Sequence, residues 1–180
     1  SCKKHKGDPP GLPAAGSMAI DFSNFDQTGK GEYSVSFPKS TPNSNWELAA
    51  GAALLWKAII YTTLAVPVHA FQLAIEEQPV YIDDRTWEWN ATTTVLSVTY
   101  KARLTGQATA SNNIWKMYIT KEGTGGFTDF LWFEGTSNPD GTAGQWKLYE
   151  SPANPGEIVK IDWTAVSGTA ASVKYTFTKT

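Results

Sequence analysis

The sequence predicts an α+β domain in which a strongly curved antiparallel β-sheet, or an open barrel, wraps around one long apolar helix. Three observations lead to this prediction. Residues 48–68 carry a single charge, Lys57; much of the later chain alternates apolar and polar residues; and turn sequences recur at short intervals. We expect about seven to ten strands, and an up-and-down barrel like that of the lipocalins is the alternative.

The first 17 residues have the composition of a flexible tether. Pro9, Pro10 and Pro13 lie among glycines and polar residues, after a basic start that contains Lys3, Lys4 and Lys6. Such composition favours extended, solvated chain. With 180 residues in all, the remainder is long enough for one well-packed domain. We therefore expect a tether over 1–17 and a single domain over 18–180.

The long helix is predicted at about residues 45–65. Ser44 and Glu47 have the spacing of a capping box, the alanines and leucines that follow favour helix, and Pro67 is expected to end it. This length could cross a bilayer, but Lys57 would then lie near the membrane centre and the sequence that follows is typical of a soluble β-domain. A core helix is the better interpretation; a strand over 59–66 with a shorter helix before it is the alternative.

The strands are predicted from alternation with a period of two residues. The clearest segments are 96–104 and 172–178; looser ones are 69–76, 80–90, 114–120, 127–134, 145–149 and 158–163, with further candidates at 18–22 and 33–37. Turn sequences lie at 111–113, 123–126, 138–141, 154–156 and 167–169. Consecutive strands joined by short turns form an antiparallel meander. One polar face per strand indicates that one side of the sheet meets solvent.

Composition and motifs argue against several functional classes. The net charge of −2 provides no basic field for nucleic acid. His69 is the single histidine outside the predicted tether, no Gly-x-Ser-x-Gly motif occurs, and histidines and cysteines do not cluster. Asn138-Pro139-Asp140-Gly141 is better interpreted as a hairpin turn than as a calcium loop. We therefore expect a non-enzymatic protein with no catalytic residues, metal site or cofactor.

The N-terminus resembles that of a mature bacterial lipoprotein. Cys2 is the only cysteine, Ser1 is a residue accepted before a lipidated cysteine, and the Pro-rich segment follows. The resemblance implies a diacylglycerol on Cys2 that anchors the domain to a membrane it does not cross. The predicted architecture is also similar to helix-wrapped half-barrel lipoprotein carriers of Gram-negative bacteria, although no motif is shared. These resemblances imply a cell-envelope protein, periplasmic or exposed at the surface.

The aromatic residues provide the candidate binding site. Eight Trp, seven Tyr and eight Phe occur, and most of them must form the core. A subset is expected to wall an apolar cavity or to form a stacking platform: Trp56, Trp87, Trp89, Phe130 and Trp132. The first functional hypothesis is a lipid-anchored module that binds an apolar or amphiphilic ligand. A structural or protein-interaction subunit of an envelope complex, with a filled core and an apolar patch at 127–133, and a glycan-binding module are the alternatives.

Overall fold

The described residues form one eight-stranded antiparallel sheet in which every strand pairs with its neighbour in sequence, in the order β1 to β8. The structure is a computed structural model and describes residues 7–18, 66–95, 97–168 and 171–178. The strands are β1 (Val80–Tyr81), β2 (Thr86–Val95), β3 (Val98–Ala108), β4 (Asn113–Lys121), β5 (Phe127–Ser137), β6 (Ala143–Ser151), β7 (Asn154–Ala165) and β8 (Ala171–Phe177). The predicted antiparallel meander is confirmed.

Most predicted strands and turns lie where the sequence patterns place them, with three exceptions. The segment 80–90 is divided by a turn, since Asp84 and Arg85 have positive φ angles and the Thr86 N–H donates to the Asp83 carbonyl at 2.6 Å. The turn predicted at 154–156 instead precedes these residues, which begin β7. The strand predicted at 69–76 is wrong, because residues 66–74 are helical. The candidates at 18–22 and 33–37 lie largely outside the described residues.

The sheet is open, so the predicted barrel and its lipocalin-like alternative are both wrong, and so is the predicted strong curvature. β1 and β8 form the two edges of the described sheet and do not pair with each other. Alternation with a period of two requires only that one face be buried. An open sheet whose one face is covered by other residues meets this requirement as well as a closed barrel does. The alternation therefore could not distinguish an open sheet from a barrel.

The predicted helix at 45–65 lies outside the described residues. The helix that the structure describes, α1, covers residues 66–74, so it is short, and Pro67 lies inside it rather than after its end. Val66, Ala70, Phe71 and Ala74 are all buried, a spacing of four, five and eight residues that defines one helical face.

α1 covers the inner face of the sheet. Phe71 is fully buried and packs edge-on against Phe133 and Trp146, with ring centroids 6.0 and 5.5 Å apart. Phe133 and Trp146 pack against each other at 5.3 Å. The inner face otherwise consists of large apolar side chains from the central strands, among them Trp89, Leu104, Trp115, Met117, Leu148 and Ile161. The contact between α1 and the sheet is therefore filled by aromatic rings.

Three tryptophans of the inner face lie over glycines of the preceding strand. Trp146 pairs with Gly135, where an added Cβ would lie 2.5 Å from the indole ring, and Trp163 pairs with Gly144, where the distance would be 2.7 Å. Trp115 covers Gly106 in the same way. A ring laid across the neighbouring strand shields a backbone that has no side chain of its own. Glycine at these positions is thus required for packing.

Part of the predicted tether packs on the domain. Pro10, Pro13 and Ala14 are buried, and the 3₁₀ turn Ala15–Met18 ends in the fully buried Ser17 and Met18. The Trp146 indole N–H donates to the Ser17 hydroxyl oxygen at 3.2 Å. Residues 10–18 therefore belong to the folded unit, and Cys2 lies outside the described residues.

Candidate functional site

Two of the predicted ligand-binding residues, Trp87 and Trp89, lie in the core. Both project from β2 to the inner face, with 6% and 1% of their surface exposed. Trp89 packs against Trp115 at 5.6 Å, and Trp87 packs edge-on against Tyr81 at 5.4 Å. Neither ring face is presented to solvent, as a sugar-stacking platform would require. Trp56 lies outside the described residues.

The other two candidates, Phe130 and Trp132, form an aromatic cluster with Phe127 near one end of the inner face. The ring centroids are 5.6 to 6.0 Å apart and the rings pack edge-on. Phe127 and Phe130 are half-buried, and Trp132 is 7% exposed. The Trp132 indole N–H is buried and has no acceptor in the described part of the chain. β3 and β4 separate this cluster from Trp87 and Trp89, so the predicted residues form two groups rather than one site.

A β-bulge explains why the sequence around this cluster is apolar on both faces. The pairing of β4 with β5 shifts between Met117 and Tyr118, and Trp132 is passed over in the register. Trp132 and Phe133 are consequently both buried although they are adjacent. Asp129, which has a φ of 47°, lies at a second register shift of the same strand pair, between Ile119 and Lys121. Asp129 faces solvent, and its side chain reaches an arginine of β3.

The outer face of the sheet is polar, and Arg103 on β3 is at the centre of its densest network. Its guanidinium lies 3.5 Å from Glu88, 3.4 Å from Asp129 and 4.4 Å from the centroid of the Tyr118 ring. The arginine is half-buried, so these contacts are screened less than those of exposed pairs. Stacking on Tyr118 adds a cation–π interaction. This network orders the middle of the outer face.

A second polar group lies further along the outer face. The Tyr149 hydroxyl donates to a Glu134 carboxylate oxygen at 2.6 Å. Burial, together with this hydrogen bond and the negative charge of Glu134, raises the pKa of Tyr149 to about 12. The Tyr149 phenol therefore remains protonated near neutral pH and continues to donate its hydrogen bond to Glu134. Glu134 lies between Lys116 and Lys147 in the sheet register, and neither lysine makes an ion pair in the described residues.

The edge formed by β1 and β2 is the most exposed apolar element of the described sheet. Val80 and Ile82 are 56% and 50% exposed. Tyr81 between them packs on the inner face against Trp87, so Val80 and Ile82 project from the outer face. β1 pairs with β2 only at Trp87 and Glu88.

The rest of β2 has no partner on this side within the described residues. The Thr86 carbonyl accepts from the Ile82 N–H, so the backbone groups of residue 86 point toward β1. In an antiparallel ladder every second residue points the same way, and β2 pairs with β3 without a bulge. The N–H and C=O groups of Asn90, Thr92 and Thr94 therefore point away from β3, toward the open side.

Sequence reasoning missed this edge and the network around Arg103. The signal for the edge was present as Gln78-Pro79-Val80, because proline is confined to strand starts and edges. The exposed pair Val80 and Ile82, next to two aspartates, also indicated an edge rather than a core strand. The network around Arg103 had no such signal, since it joins residues from four strands.

Two features are absent from the described residues. These residues contain no group of three or more His, Cys, Asp or Glu side chains placed to hold a metal ion. Within the same ranges, no helix is long and apolar enough to cross a membrane. No protein-family model, curated protein or solved structure matches the chain.

Proposed function

We propose that this protein is a non-enzymatic, lipid-anchored protein-interaction module of the bacterial cell envelope. The proposal rests on the exposed apolar side chains of Val80 and Ile82, which project from the outer face at one edge of the sheet. The inner face of the sheet is filled with core side chains. Apolar side chains this exposed, side by side, are typical of surfaces that meet another protein. The filled contact of α1 with Phe133 and Trp146 favours this function over ligand uptake between helix and sheet.

The anchor would hold the domain close to the membrane. Pro10 is buried and Gly11 packs against the backbone of Asp140 in the β5–β6 turn. Only residues 3–9 would then separate a lipid on Cys2 from the folded unit. Fully extended, that length of chain reaches at most about 28 Å. Partners would therefore be met near the membrane surface, at the same end of the sheet as the β5–β6 turn.

The anchor is tested on the protein purified from its native membranes. Mass spectrometry of the N-terminal peptide is expected to show a peptide that begins at Cys2 and carries a diacylglycerol. Cys2→Ala is expected to release the protein into the soluble fraction. An unmodified peptide that retains Ser1 and Cys2 would refute the anchor.

The interaction is tested with a photo-crosslinking amino acid placed at Val80 in living cells. A discrete cross-linked product is expected from this position. Val166 is the matched control, because it is also exposed, at 74%, but lies in the turn after β7. Equal products at both positions, or none at Val80, would argue against an interaction function.

A second function, binding of an amphiphilic ligand, is favoured by one observation at Trp132. Its buried indole N–H has no acceptor in the described residues and lies beside the half-buried rings of Phe127 and Phe130. An unsatisfied buried donor costs about 1–3 kcal/mol. A ligand with an apolar chain and one acceptor atom would recover that free energy.

Native mass spectrometry with added decanoate tests this second function. Trp132→Phe removes the N–H and is expected to weaken the complex at least about tenfold. Trp163→Phe is the control, since the Trp163 indole N–H is also buried without an acceptor but belongs to β7, away from the cluster. Equal loss with both variants, or no complex with the unchanged protein, would exclude the site.

A further inference from the structure

The β1–β2 edge combines three features that together define a particular kind of partner. They are backbone groups in register for another strand, two exposed apolar side chains, and a local excess of negative charge. We propose that this edge binds an extended segment of another protein, which adds to the sheet as a strand beside β2 and carries basic residues at the end that meets the start of β1, next to an uncharged, β-branched centre. The inference rests on the proposed interaction function and names its partner.

The backbone geometry requires a strand. Asn90, Thr92 and Thr94 present their N–H and C=O groups to the open side, which offers about six hydrogen bonds to an antiparallel neighbour. Residues 75–77 form a turn that leads back to α1, so β1 does not extend along this part of β2. An incoming strand would continue the sheet where β1 ends. This is the strand-addition mode of peptide recognition.

The edge also lacks the devices that protect sheet edges from pairing. Natural edges are blocked by lysines, prolines or bulges. Residues 90–94 of β2 are Asn-Ala-Thr-Thr-Thr, with no charge, proline or glycine, and their pairing with β3 is regular. The opposite edge differs, because β8 carries the exposed Lys174 and the 3₁₀ turn Ala15–Met18 packs against it. Of the two edges of the described sheet, only the β2 edge therefore has no described segment against it.

The charges at the start of β1 favour a basic partner. Glu76 and Glu77 precede β1, and Asp83 and Asp84 follow it; all four are exposed. None of them makes an ion pair within the described residues, and Arg85 is the single cation among residues 76–85. A strand added beside residues 90–94 would meet the start of β1, so lysines or arginines at that end would be attracted by Glu76 and Glu77.

The inference is tested with the full chain and three synthetic peptides, followed by fluorescence anisotropy. The first has three Thr-Val repeats followed by two lysines, the second has glutamates in place of the lysines, and the third has a central proline. The lysine peptide is expected to bind at least about tenfold more tightly than either of the others. Equal binding of the lysine and glutamate peptides would overturn the charge selection.

Amide hydrogen exchange reports where the peptide binds. The N–H groups of Asn90, Thr92 and Thr94 are expected to exchange fast in the free protein and to become at least about tenfold protected with the lysine peptide. Protection already present in the free protein would mean that another part of the chain occupies the edge. Protection that rises with protein concentration alone would mean that a second copy does. Either result overturns the proposal.

Thr92→Pro is the variant that should prevent strand addition beside β2. Its ring replaces an N–H that points away from β3, so the β2–β3 ladder is retained, whereas the incoming strand loses a donor and meets the ring. Binding of the lysine peptide is expected to fall at least about tenfold while the circular dichroism melting curve changes little. Should this variant unfold, Val80→Lys with Ile82→Lys provides the same block by charge, and Val166→Lys is the control.

The same variants separate the two levels of the proposal. If the cross-link from Val80 persists in cells with Thr92→Pro and the peptides do not bind, strand addition is overturned. The interaction function then still stands. Absence of any cross-link from Val80 overturns the interaction function itself.

Discussion

The inner and outer faces of this sheet are formed by the same strands but are ordered by different interactions. On the inner face, Trp115, Trp146 and Trp163 cover glycines of neighbouring strands and pack with α1 into a filled layer. On the outer face, Arg103 and Tyr149 are ordered by hydrogen bonds, ion pairs and ring contacts that remain in contact with water. The inner face should therefore control stability, and the outer face should tolerate change. Four predictions test this difference.

The largest effect is expected for Trp146→Ala. The variant removes a fully buried ring that contacts Phe71, Phe133 and Trp163, together with the hydrogen bond to Ser17. Loss of a buried aromatic side chain lowers the free energy of unfolding by about 3–5 kcal/mol. Urea denaturation measures it. Lys147→Ala, the next residue on the outer face, is the control and should change stability by less than about 0.5 kcal/mol; similar losses would refute the difference between the faces.

The next effect is expected for Gly135→Ala. The added methyl group would lie 2.5 Å from the Trp146 ring and would also overlap the Gln145 carbonyl, so the ring must move. Overpacking of this kind costs about 1–3 kcal/mol. Gly156→Ala is the control, because its nearest neighbour would be 3.9 Å away. Thermal denaturation of both variants decides, and unchanged stability of Gly135→Ala would show that Trp146 does not cover this glycine.

A smaller effect is expected for Arg103→Ala on the outer face. It removes contacts to Glu88, Asp129 and the Tyr118 ring, for a loss of about 1 kcal/mol. The exposed Lys101, which pairs with Glu122, provides the comparison, since Lys101→Ala should change stability by less than about 0.5 kcal/mol. The stability losses of the two variants, measured by denaturation, should differ less at high salt than at low salt. A loss above about 3 kcal/mol for Arg103→Ala would mean that the outer face also controls stability.

The smallest effect concerns the ionisation of Tyr149. Its pKa is raised to about 12 in the folded state from 10.0, so its contribution to stability is complete below pH 10 and is lost as the pH rises toward 12. Absorbance of tyrosinate at 295 nm should show one tyrosine that titrates late. Tyr149→Phe should remove that late step and make stability less dependent on pH in this range. A late step that persists in the variant would assign it to another tyrosine.

The extent of successful sequence prediction differs between these parts of the molecule. The strands β3 to β8 were predictable, because Leu104, Met117 and Leu148 alternate with polar residues at a period that only a half-buried strand satisfies. The segment 69–76 was not, because Phe71, Leu73 and Ile75 alternate while Val66, Ala70 and Ala74 repeat at helical spacing. Both patterns coexist in the same residues, and packing against Phe133 and Trp146 decided for the helix.

The candidate site was predicted only in part. Aromatic residues such as Trp89 and Trp132 were chosen for their size, but size does not distinguish a core ring from a ligand wall. Phe130 and Trp132 do lie together, whereas Trp87 and Trp89 lie across two strands from them. Which aromatic residues lie together depends on the pairing of strands whose residues are several tens of positions apart in the sequence.

By itself, the sequence determined the antiparallel meander and the two unlike faces of its strands, since both follow from local alternation and short turns. The tertiary structure alone decided that the sheet is open, that tryptophans cover glycines across strand pairs, and that the edge of β2 is left without a partner in the described residues. A period of two residues records which side of a strand is buried. It contains no information about which strand, helix or partner buries it, because that depends on contacts between distant parts of the chain.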